Sequence, residues 1–369
     1  MSLKTVRFTQ RDKSADFLPT VRKRVNEYFE SNNISRYANA AMVFKTIFMV
    51  SLYLVPYFLL ITGVITNYWV VYAMWILMGF GMSGIGLSVM HDANHGAYSN
   101  KPIINKIMGS LMYLIGGNPV NWRIQHNVLH HSFTNIEGMD EDINTGVVLR
   151  FSPHQKVYWM HRFQHIYAWP LYGLMTILWS TTKDFKQLFR YRRLDLHKTQ
   201  NRTFNSLLVE IATSKVLYYA VFFVIPMIFI PAPWYLILAG FISMHLVTGL
   251  VLACVFQPAH VMPTMDFPLP DENGNIDNNW AIHELMTTTN FAPTNRLLSW
   301  YVGGLNYQIE HHLFPNVCHI HYRKISSIVK KTAEEFSLPY YSEPTFRGAV
   351  YKHAMMLKQL GRQEQPAFA

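Results

Sequence analysis

Histidine is the residue type most able to do chemistry in this chain, because it is concentrated in three short motifs. The motifs read HDANH at 91–95, HNVLHH at 126–131 and QIEHH at 308–312. Neutral imidazole nitrogen binds first-row transition metals such as iron, zinc, copper and nickel. The motifs therefore predict a metal site. Its candidate ligands are His91, His95, His126, His130, His131, His311 and His312, with His260 as a further candidate.

The spacing within the motifs fits ligands carried on helices. His91 and His95 are four residues apart, which places both on one face of a helix, and His126 and His130 repeat that spacing. His131 presents a third imidazole to a neighbouring position. Such pairs, brought in from several helices, can surround two adjacent metal ions with nitrogen. Nearby acidic residues are candidates to orient the rings as hydrogen-bond acceptors: Asp92, Asp140, Asp142 and Glu310.

A single HxxxH spacing is more often incidental than a ligand pair. His161 and His165 have this spacing inside the aromatic stretch 158–179, and we interpret them as packing or headgroup contacts. Zinc is the alternative metal. Against zinc, the chain has no HExxH motif, only two cysteines, and more clustered imidazoles than one four-coordinate ion uses. Other histidines are expected to be ordinary: His154, His197, His245, His283, His319, His321 and His353.

Two long runs without Asp, Glu, Lys or Arg indicate the elements that must position these histidines. The runs cover residues 46–90 and 216–265. Since about 20 apolar residues cross a bilayer as a helix, each run can hold two crossings and a turn. The sequence therefore predicts an all-α integral membrane protein. It would have four transmembrane helices in two hairpins, with a cytosolic helical cap that carries the histidine site.

The basic residues predict the orientation in the membrane. The turns inside the two hairpins, near residues 66 and 232, carry no Lys or Arg. The positive-inside bias then places both termini, the segment 91–215 and all three histidine motifs in the cytosol. No cleavable signal peptide is expected, because the first residues lack an apolar core. The net charge of +10 suits anionic headgroups or an anionic substrate, and without a binding motif it does not predict nucleic-acid binding.

Three segments are expected along the chain: a cytosolic N-terminal segment at 1–42, a membrane domain at 43–330 and a cytosolic C-terminal tail at 331–369. The apolar stretch 107–117 is predicted to form a re-entrant or an interfacial helix, and 158–179 to lie at the interface rather than to span. The basic stretch 183–198 is predicted to lie on the membrane surface. A literal GxGxxG occurs at 79–84. Because it lies within a predicted span, it indicates close helix packing rather than nucleotide binding.

The order HxxxH, HxxxHH and QxxHH, between four spans, resembles the integral-membrane fatty acid desaturases. The third motif, LNYQIEHHLFP at 305–315, is similar to the form found in front-end desaturases. The resemblance covers roughly residues 40–330. It implies a di-iron centre that uses O2 to remove two hydrogens from a methylene pair of an acyl chain. The implied iron ligands are His91, His95, His126, His130, His131, His260, His311 and His312.

Gln308 stands where relatives have a histidine, and it could bind iron directly, bind through water, or only donate a hydrogen bond. The resemblance also implies a fatty acyl substrate, carried by CoA, acyl carrier protein or a membrane lipid. An external electron donor of ferredoxin or cytochrome b5 type is implied as well, since no HPGG haem motif occurs in the sequence. Candidate tunnel or headgroup contacts precede the second motif: Asn121, Trp122, Arg123 and Gln125.

Two other functions remain open at this point. A membrane di-iron hydroxylase would share the metal core but insert oxygen. A non-oxidase metal-binding membrane protein, in transport or metal handling, would place ionisable residues within the spans. The charge-free runs contain only His245 and His260 as ionisable side chains of this kind, which weakens the transport alternative.

Overall fold

A computed structural model describes residues 6–9 and 16–362, and helices account for most of them. The α-helices, in chain order, are α1 (Phe17–Ser31), α2 (Ala40–Ile61), α3 (Tyr68–Gly84), α4 (Met90–Asn94), α5 (Pro102–Gly109), α6 (Pro119–Arg123), α7 (Gln164–Gly173), α8 (Met175–Leu178), α9 (Asp184–Arg193), α10 (Phe204–Tyr219), α11 (Ile225–Phe229), α12 (Trp234–His260), α13 (Trp280–Thr287), α14 (Arg296–Tyr301), α15 (Gln308–Leu313), α16 (Tyr322–Glu335) and α17 (Phe346–Leu360).

Shorter elements connect these helices. Four segments are π-helical: Ile85–Val89, Ile124–Leu129, Trp179–Lys183 and Ala220–Val224. Five are 3-10 helices: Ser110–Ile115, His130–Ser132, Trp159–Phe163, Leu196–Gln200 and His319–His321. The described strands form two parallel pairs, β1 (Arg7–Phe8) with β2 (Asn275–Ile276) and β3 (Asn290–Phe291) with β4 (Ser342–Glu343).

Among the described residues, four helical segments are long and apolar enough to cross a membrane, which confirms the predicted number of spans. They are Ala40–Ile61, Tyr68–Asn94, Phe204–Phe229 and Trp234–His260. The stretch Pro102–Ile115 is apolar but shorter. The predicted bounds were too narrow, most of all for the third segment, which begins at Phe204 rather than after residue 215. It can include Lys215 because the ammonium group binds the Asp184 carboxylate and the carbonyl oxygens of Gly116 and Trp179.

The chain divides into two compact units, each built from separated stretches. The first consists of Ala38–Ile124 and Trp169–Ala253. In it, glycines of the GxGxxG stretch of α3 leave room for the backbones of α2 and α12. A Cβ at Gly81 would lie 2.5 Å from the amide nitrogen of Tyr53, and one at Gly79 would lie 2.8 Å from the carbonyl oxygen of Met244. The GxGxxG stretch therefore packs helices, as predicted.

The second unit consists of the described parts of Leu3–Tyr37, Gln125–Ala168 and Cys254–Ala369. Its main apolar core lies between α1, α13, α15 and α16, with Val21, Leu285, Ile309 and Val329 fully or almost fully buried. The core fixes α15, the helix that carries the third histidine motif. The boundaries predicted at residues 42 and 330 stay a prediction.

Candidate metal centre

Six of the expected ligands lie in the second unit, on four different elements. His126 is on the π-helix Ile124–Leu129, and His130 and His131 are on the 3-10 helix that follows it. His260 is the last residue of α12, and His311 and His312 are in α15. All six side chains are buried. Imidazoles are rarely gathered in a protein interior unless protons or metal ions hold them together.

The first triad, His126, His131 and His311, brings three Nε2 atoms face to face. These atoms are 3.2 Å apart for His126 and His131, 3.0 Å for His131 and His311, and 3.4 Å for His126 and His311. Nitrogens bound to one first-row metal at about 2.1 Å lie roughly 3.0–3.4 Å apart. Three lone pairs so close repel one another unless a cation lies between them. The first triad therefore fits one metal ion.

The second triad, His130, His260 and His312, fits a second ion. The ring centroids are 4.8, 5.0 and 4.9 Å apart, and the ligand nitrogens all lie within 4.8 Å of one another. In each ring Nδ1 faces an oxygen: Asp140 for His130 at 3.1 Å, the Thr287 carbonyl for His260 at 3.2 Å and Glu284 for His312 at 2.7 Å. Each Nδ1–H can donate to that oxygen, which leaves Nε2 as the metal ligand.

The two triads adjoin one another, since the rings of His131 and His312 stack with centroids 4.3 Å apart. The spacing of four residues between His126 and His130 predicted that they share one face of a helix. It did not predict that the two rings belong to different triads. A π-helix is wound more widely than an α-helix, and here it brings His126 against His131, five residues on, while His130 joins the other triad. The consecutive pairs His130–His131 and His311–His312 each contribute one ring to each triad. Each pair of consecutive histidines thus links the two triads.

Asp140 holds the ring of His130, as a second-sphere acceptor was expected to do. Its carboxylate also accepts hydrogen bonds from the backbone amides of Asn135 and Asp142, each at 2.9 Å. Burial raises the pKa of Asp140, but the His130 charge and these bonds outweigh it and lower the pKa below its usual value. Burial lowers the pKa of His130, whereas Asp140 and Asp142 raise it to about 9. The pair strongly favours positive charge at this ring, which a bound cation would also supply.

Glu284 also holds a ring of the second triad, a contact that the sequence did not predict. Its carboxylate accepts from Nδ1 of His312 at 2.7 Å and contacts the Thr134 hydroxyl at 2.9 Å. Burial raises the pKa of Glu284 to about 8. A metal ion on His312 would favour the ionised carboxylate. The signal was a carboxylate in the apolar stretch WAIHELM, which is unusual unless the acid has a buried partner.

The first motif lies in the first unit, where His91 ends up beside His95 and Trp122. The two imidazole centroids are 4.8 Å apart, and each ring meets the indole of Trp122 edge-on, at 5.4 and 5.5 Å. The π-helix Ile85–Val89 precedes His91, and Asp92 lies 3.9 Å from Nδ1 of His91. Trp122 therefore fixes the orientation of both rings, a contact that the sequence did not predict.

The remaining candidates have other partners. Asn121 donates to the backbone oxygen of Asp184, Arg123 donates to Asn94 and Gln200, and Gln125 donates to Asp142. Glu310 binds Asn290 at 2.8 Å and Tyr340 at 2.9 Å. Gln308 is buried, and its side chain interacts with the imidazole of His260. Of these residues, Gln308 therefore lies beside a ring of the second triad. Gln125 lies beside Asp142, one of the candidate acceptors.

Histidines outside the motifs make ordinary polar contacts. His161 binds the Val147 carbonyl, His154 binds that of Phe267, and His353 binds that of Val261. His245, inside a spanning helix, lies 3.0 Å from both the Tyr218 hydroxyl and the Thr176 hydroxyl. These single imidazoles bind carbonyl or hydroxyl oxygens, whereas the motif histidines of the triads face one another. A high histidine content alone therefore does not explain the triads.

Comparison with known proteins decides the family. A sequence model of the fatty acid desaturase family matches residues 67–344, which include all eight histidines expected as ligands. The chain belongs to the fatty acid desaturase family. It is 37% identical to an sn-1 linoleoyl-lipid 6-desaturase of Arthrospira platensis over 94% of this chain and 93% of that protein. An enzyme of the same name from Synechocystis sp. is 33% identical, over 98% and 99% of the two chains.

An acyl-lipid (8-3)-desaturase of Physcomitrium patens is 37% identical over 95% of this chain and 72% of that protein. These relatives are front-end desaturases, so the expected subgroup is confirmed. The desaturase is an oxidoreductase that introduces a double bond into a fatty acyl chain. Its histidine triads are compatible with metal binding.

Proposed function

We propose that this desaturase binds two iron ions and uses O2 to form a cis double bond on the carboxyl side of an existing one, in the acyl chain of a membrane lipid. The observation that carries the metal assignment is the pair of adjacent triads, in which six buried imidazoles turn ring nitrogens toward two positions. The lipid substrate rests on the relatives, two of which are named as acting on linoleoyl lipids. Linoleoyl chains are the first substrate to test.

Iron is favoured over zinc by the chemistry of desaturation, because zinc has no redox activity, whereas the imidazole donor set suits either metal. The triads offer only imidazole, and the described cysteines, Cys254 and Cys318, belong to neither. Bound iron would supply O2 activation and an oxidant able to attack an alkyl C–H bond, which side chains alone cannot provide. We extend the ligand set to His91 and His95 because the first motif matches the family pattern. This extension rests on the motif alone.

The residues of the chain hold the rings and exclude water. Asp140, Glu284 and the Thr287 carbonyl accept the Nδ1 protons of the second triad, so these imidazoles keep one tautomer and one orientation. Three apolar side chains that are close in sequence to the rings are almost fully buried: Leu129, Ile309 and Leu313. The ring of Phe256 meets that of His126 edge-on, with centroids 6.3 Å apart. A dry apolar site suits an alkyl substrate and protects a strong oxidant from side reactions.

The overall reaction balances only with a source of electrons. One acyl –CH2–CH2– unit, one O2, two electrons and two protons give –CH=CH– and two water molecules. We propose that a separate carrier of ferredoxin or cytochrome b5 type supplies these electrons. Turnover by the purified desaturase should therefore require a reduced carrier. Full activity without any carrier or reductase would contradict this part of the proposal.

We also propose that both termini and the triads face the cytosol, because the basic residues lie outside the hairpin turns. Single cysteines introduced at Asn67 and at Arg347, in a variant lacking Cys254 and Cys318, would test this. An impermeant thiol reagent added to intact cells should label the cysteine at 67 only. Labelling at 347 alone would reverse the orientation.

The experiment that tests the function is lipid profiling of a host that makes this chain and is fed linoleate. The desaturase should convert linoleoyl chains to a triene with the new bond on the carboxyl side, located by mass spectrometry of a double-bond derivative. His131→Ala should remove the product, whereas His154→Gln, which alters a histidine outside the triads, should not. A product that gains one oxygen atom instead of losing two hydrogens would identify a hydroxylase. Purified active protein with stoichiometric zinc would overturn the iron assignment.

A further inference from the structure

One cavity of the second unit combines cations with exposed apolar side chains and shares no residue with the triads. Its volume is about 610 Å³, and its lining includes Trp159, Arg162, Phe163, His165, Ile166 and Arg362. We call it the Arg162 pocket. Trp159, Phe163 and Ile166 are 77%, 50% and 63% exposed. An aromatic and aliphatic surface of this kind next to Arg side chains is typical of segments that lie in a membrane interface.

The cations of the Arg162 pocket are brought together by backbone packing. The chain at Gly361 lies against the peptide of His161 and Arg162 so closely that a Cβ on Gly361 would collide with the His161 carbonyl oxygen. This contact places Arg162 and Arg362, each beside it in sequence, on the same cavity. Gln164 donates to the Leu357 carbonyl at 2.7 Å, and the Arg150 guanidinium donates to the Leu360 carbonyl. The end of α17 is therefore anchored rather than loosely placed.

Positive charge at the pocket is not neutralised by the described carboxylates, none of which forms an ion pair with Arg162 or Arg362. Lys358 and Arg362 also act on His165: burial first, and then these two charges, lower the pKa of its imidazole. Like charges held around one cavity repel one another, and an anion that enters the cavity relieves this repulsion. The pocket therefore selects for negative charge.

We propose that the Arg162 pocket binds the phosphate of an anionic glycerophospholipid, with Arg162 and Arg362 on the headgroup and Trp159, Phe163 and Ile166 against the glycerol and upper acyl region. Guanidinium groups match phosphate oxygens in shape and charge. The exposed apolar side chains favour a lipid over a water-soluble phosphate, since an inorganic ion would leave them in water. Binding a lipid here would also hold the stretch 158–173 at the membrane surface.

The test measures lipid binding and needs neither iron nor turnover, so it is independent of the proposed function. The detergent-solubilised desaturase is titrated with dioleoyl phosphatidylglycerol and with dioleoyl phosphatidylcholine, and bound lipid is counted by native mass spectrometry. We expect at least tenfold tighter binding of the anionic lipid at one site. The double variant Arg162→Gln/Arg362→Gln should lose this preference, and Trp159→Ala should weaken the binding of both lipids.

The matched control is Arg323→Gln/Arg347→Gln, which removes the same charge from exposed positions of α16 and α17 outside the pocket. The control should keep the lipid preference within about twofold. Equal loss in the control would show that only net charge matters and would overturn the site. Oleoyl-CoA is also titrated, because an acyl-CoA is the other possible source of the phosphate group. Tenfold tighter binding of oleoyl-CoA than of phosphatidylglycerol, abolished by the pocket variant, would overturn the lipid assignment.

Discussion

The two triads differ in the Nδ1 partner of His311, on one side, and the Nδ1 partners of the three rings of the second triad, on the other. In the second triad, carboxylates or a carbonyl accept from Nδ1 of His130, His260 and His312. In the first triad, His311 has the Tyr322 hydroxyl at 3.2 Å from Nδ1, a neutral partner. A carboxylate makes an imidazole a stronger donor to a metal than a phenol does. We infer that the second triad would hold a metal ion more tightly than the first and would better stabilise a higher charge on it.

The difference also concerns net charge. Six neutral imidazoles leave all the positive charge of two ions uncompensated, and the buried carboxylates Asp140 and Glu284 both adjoin the second triad. In a low-dielectric interior, such charges act strongly over short distances. The two ions would thus be unequal before any substrate binds. An unequal pair can divide roles, one ion keeping its ligands while the other exchanges them.

Removal of a ring from either triad should have the largest effect. His311→Ala and His312→Ala should each abolish product formation. We expect iron content to fall by about one ion per chain, because the His311 ring faces His126 and His131 whereas the His312 ring is grouped with His130 and His260. Metal analysis and lipid profiling of the purified variants check this. His353→Gln, which alters a buried histidine bound to the Val261 carbonyl, serves as the control. Retention of both ions in either alanine variant would contradict the ligand assignment.

Loss of the carboxylate on His312 should come next. Glu284→Gln keeps the size of the side chain but removes the charge that accepts from Nδ1, and outer-sphere changes of this kind cost about 10–100-fold in metal affinity or activity. During timed chelation, the variant should release one iron faster than the unaltered desaturase does. Glu343→Gln, at a carboxylate paired with Lys352 and outside both triads, is the matched control. Equal release from both variants would remove the distinction between the triads.

The spans and the ligand residue types could be predicted from sequence because each depends on local pattern. A run without charged residues, such as 216–265, indicates a segment that lies in the hydrocarbon of the bilayer. This inference requires no knowledge of tertiary contacts. The start of the third segment at Phe204 could not be predicted in this way. Lys215 is tolerated there only through the Asp184 carboxylate and two carbonyls that are distant in sequence. Partners that are so distant in sequence cannot be recognised from the local sequence pattern.

The division of the histidines between triads shows a second limit. Spacing of three and four residues assumes α-helical geometry, and His126 lies on a π-helix, so its ring meets His131 instead of sharing an ion with His130. Glu284 was missed for a related reason. It is 28 residues from His312 in sequence, and only the fold brings the two side chains together.

A smaller effect is expected at Asp140, because His130 has a second carboxylate available. Asp142 lies 3.5 Å from the same Nδ1. Asp140→Asn should reduce metal affinity by about tenfold or less, and Asp140→Asn/Asp142→Asn should approach the effect of Glu284→Gln. Metal titration of the apo-protein would measure both. A full loss in the single variant would show that Asp142 gives no support to the ring, and Glu343→Gln again provides the control.

The smallest effect should arise at the first triad, from Tyr322→Phe. This change deletes one hydroxyl at 3.2 Å from Nδ1 of His311 and leaves the ring in place. A neutral hydrogen bond contributes about 0.5–1.5 kcal/mol, which corresponds to roughly a two- to tenfold change. The iron released first during chelation should now be lost still earlier, while the slower one is unaffected. Because Glu284→Gln acts on the other ion, the two changes should combine additively in a double variant. Faster release of the slower iron by Tyr322→Phe alone would mean that the triads share their ions rather than hold one each.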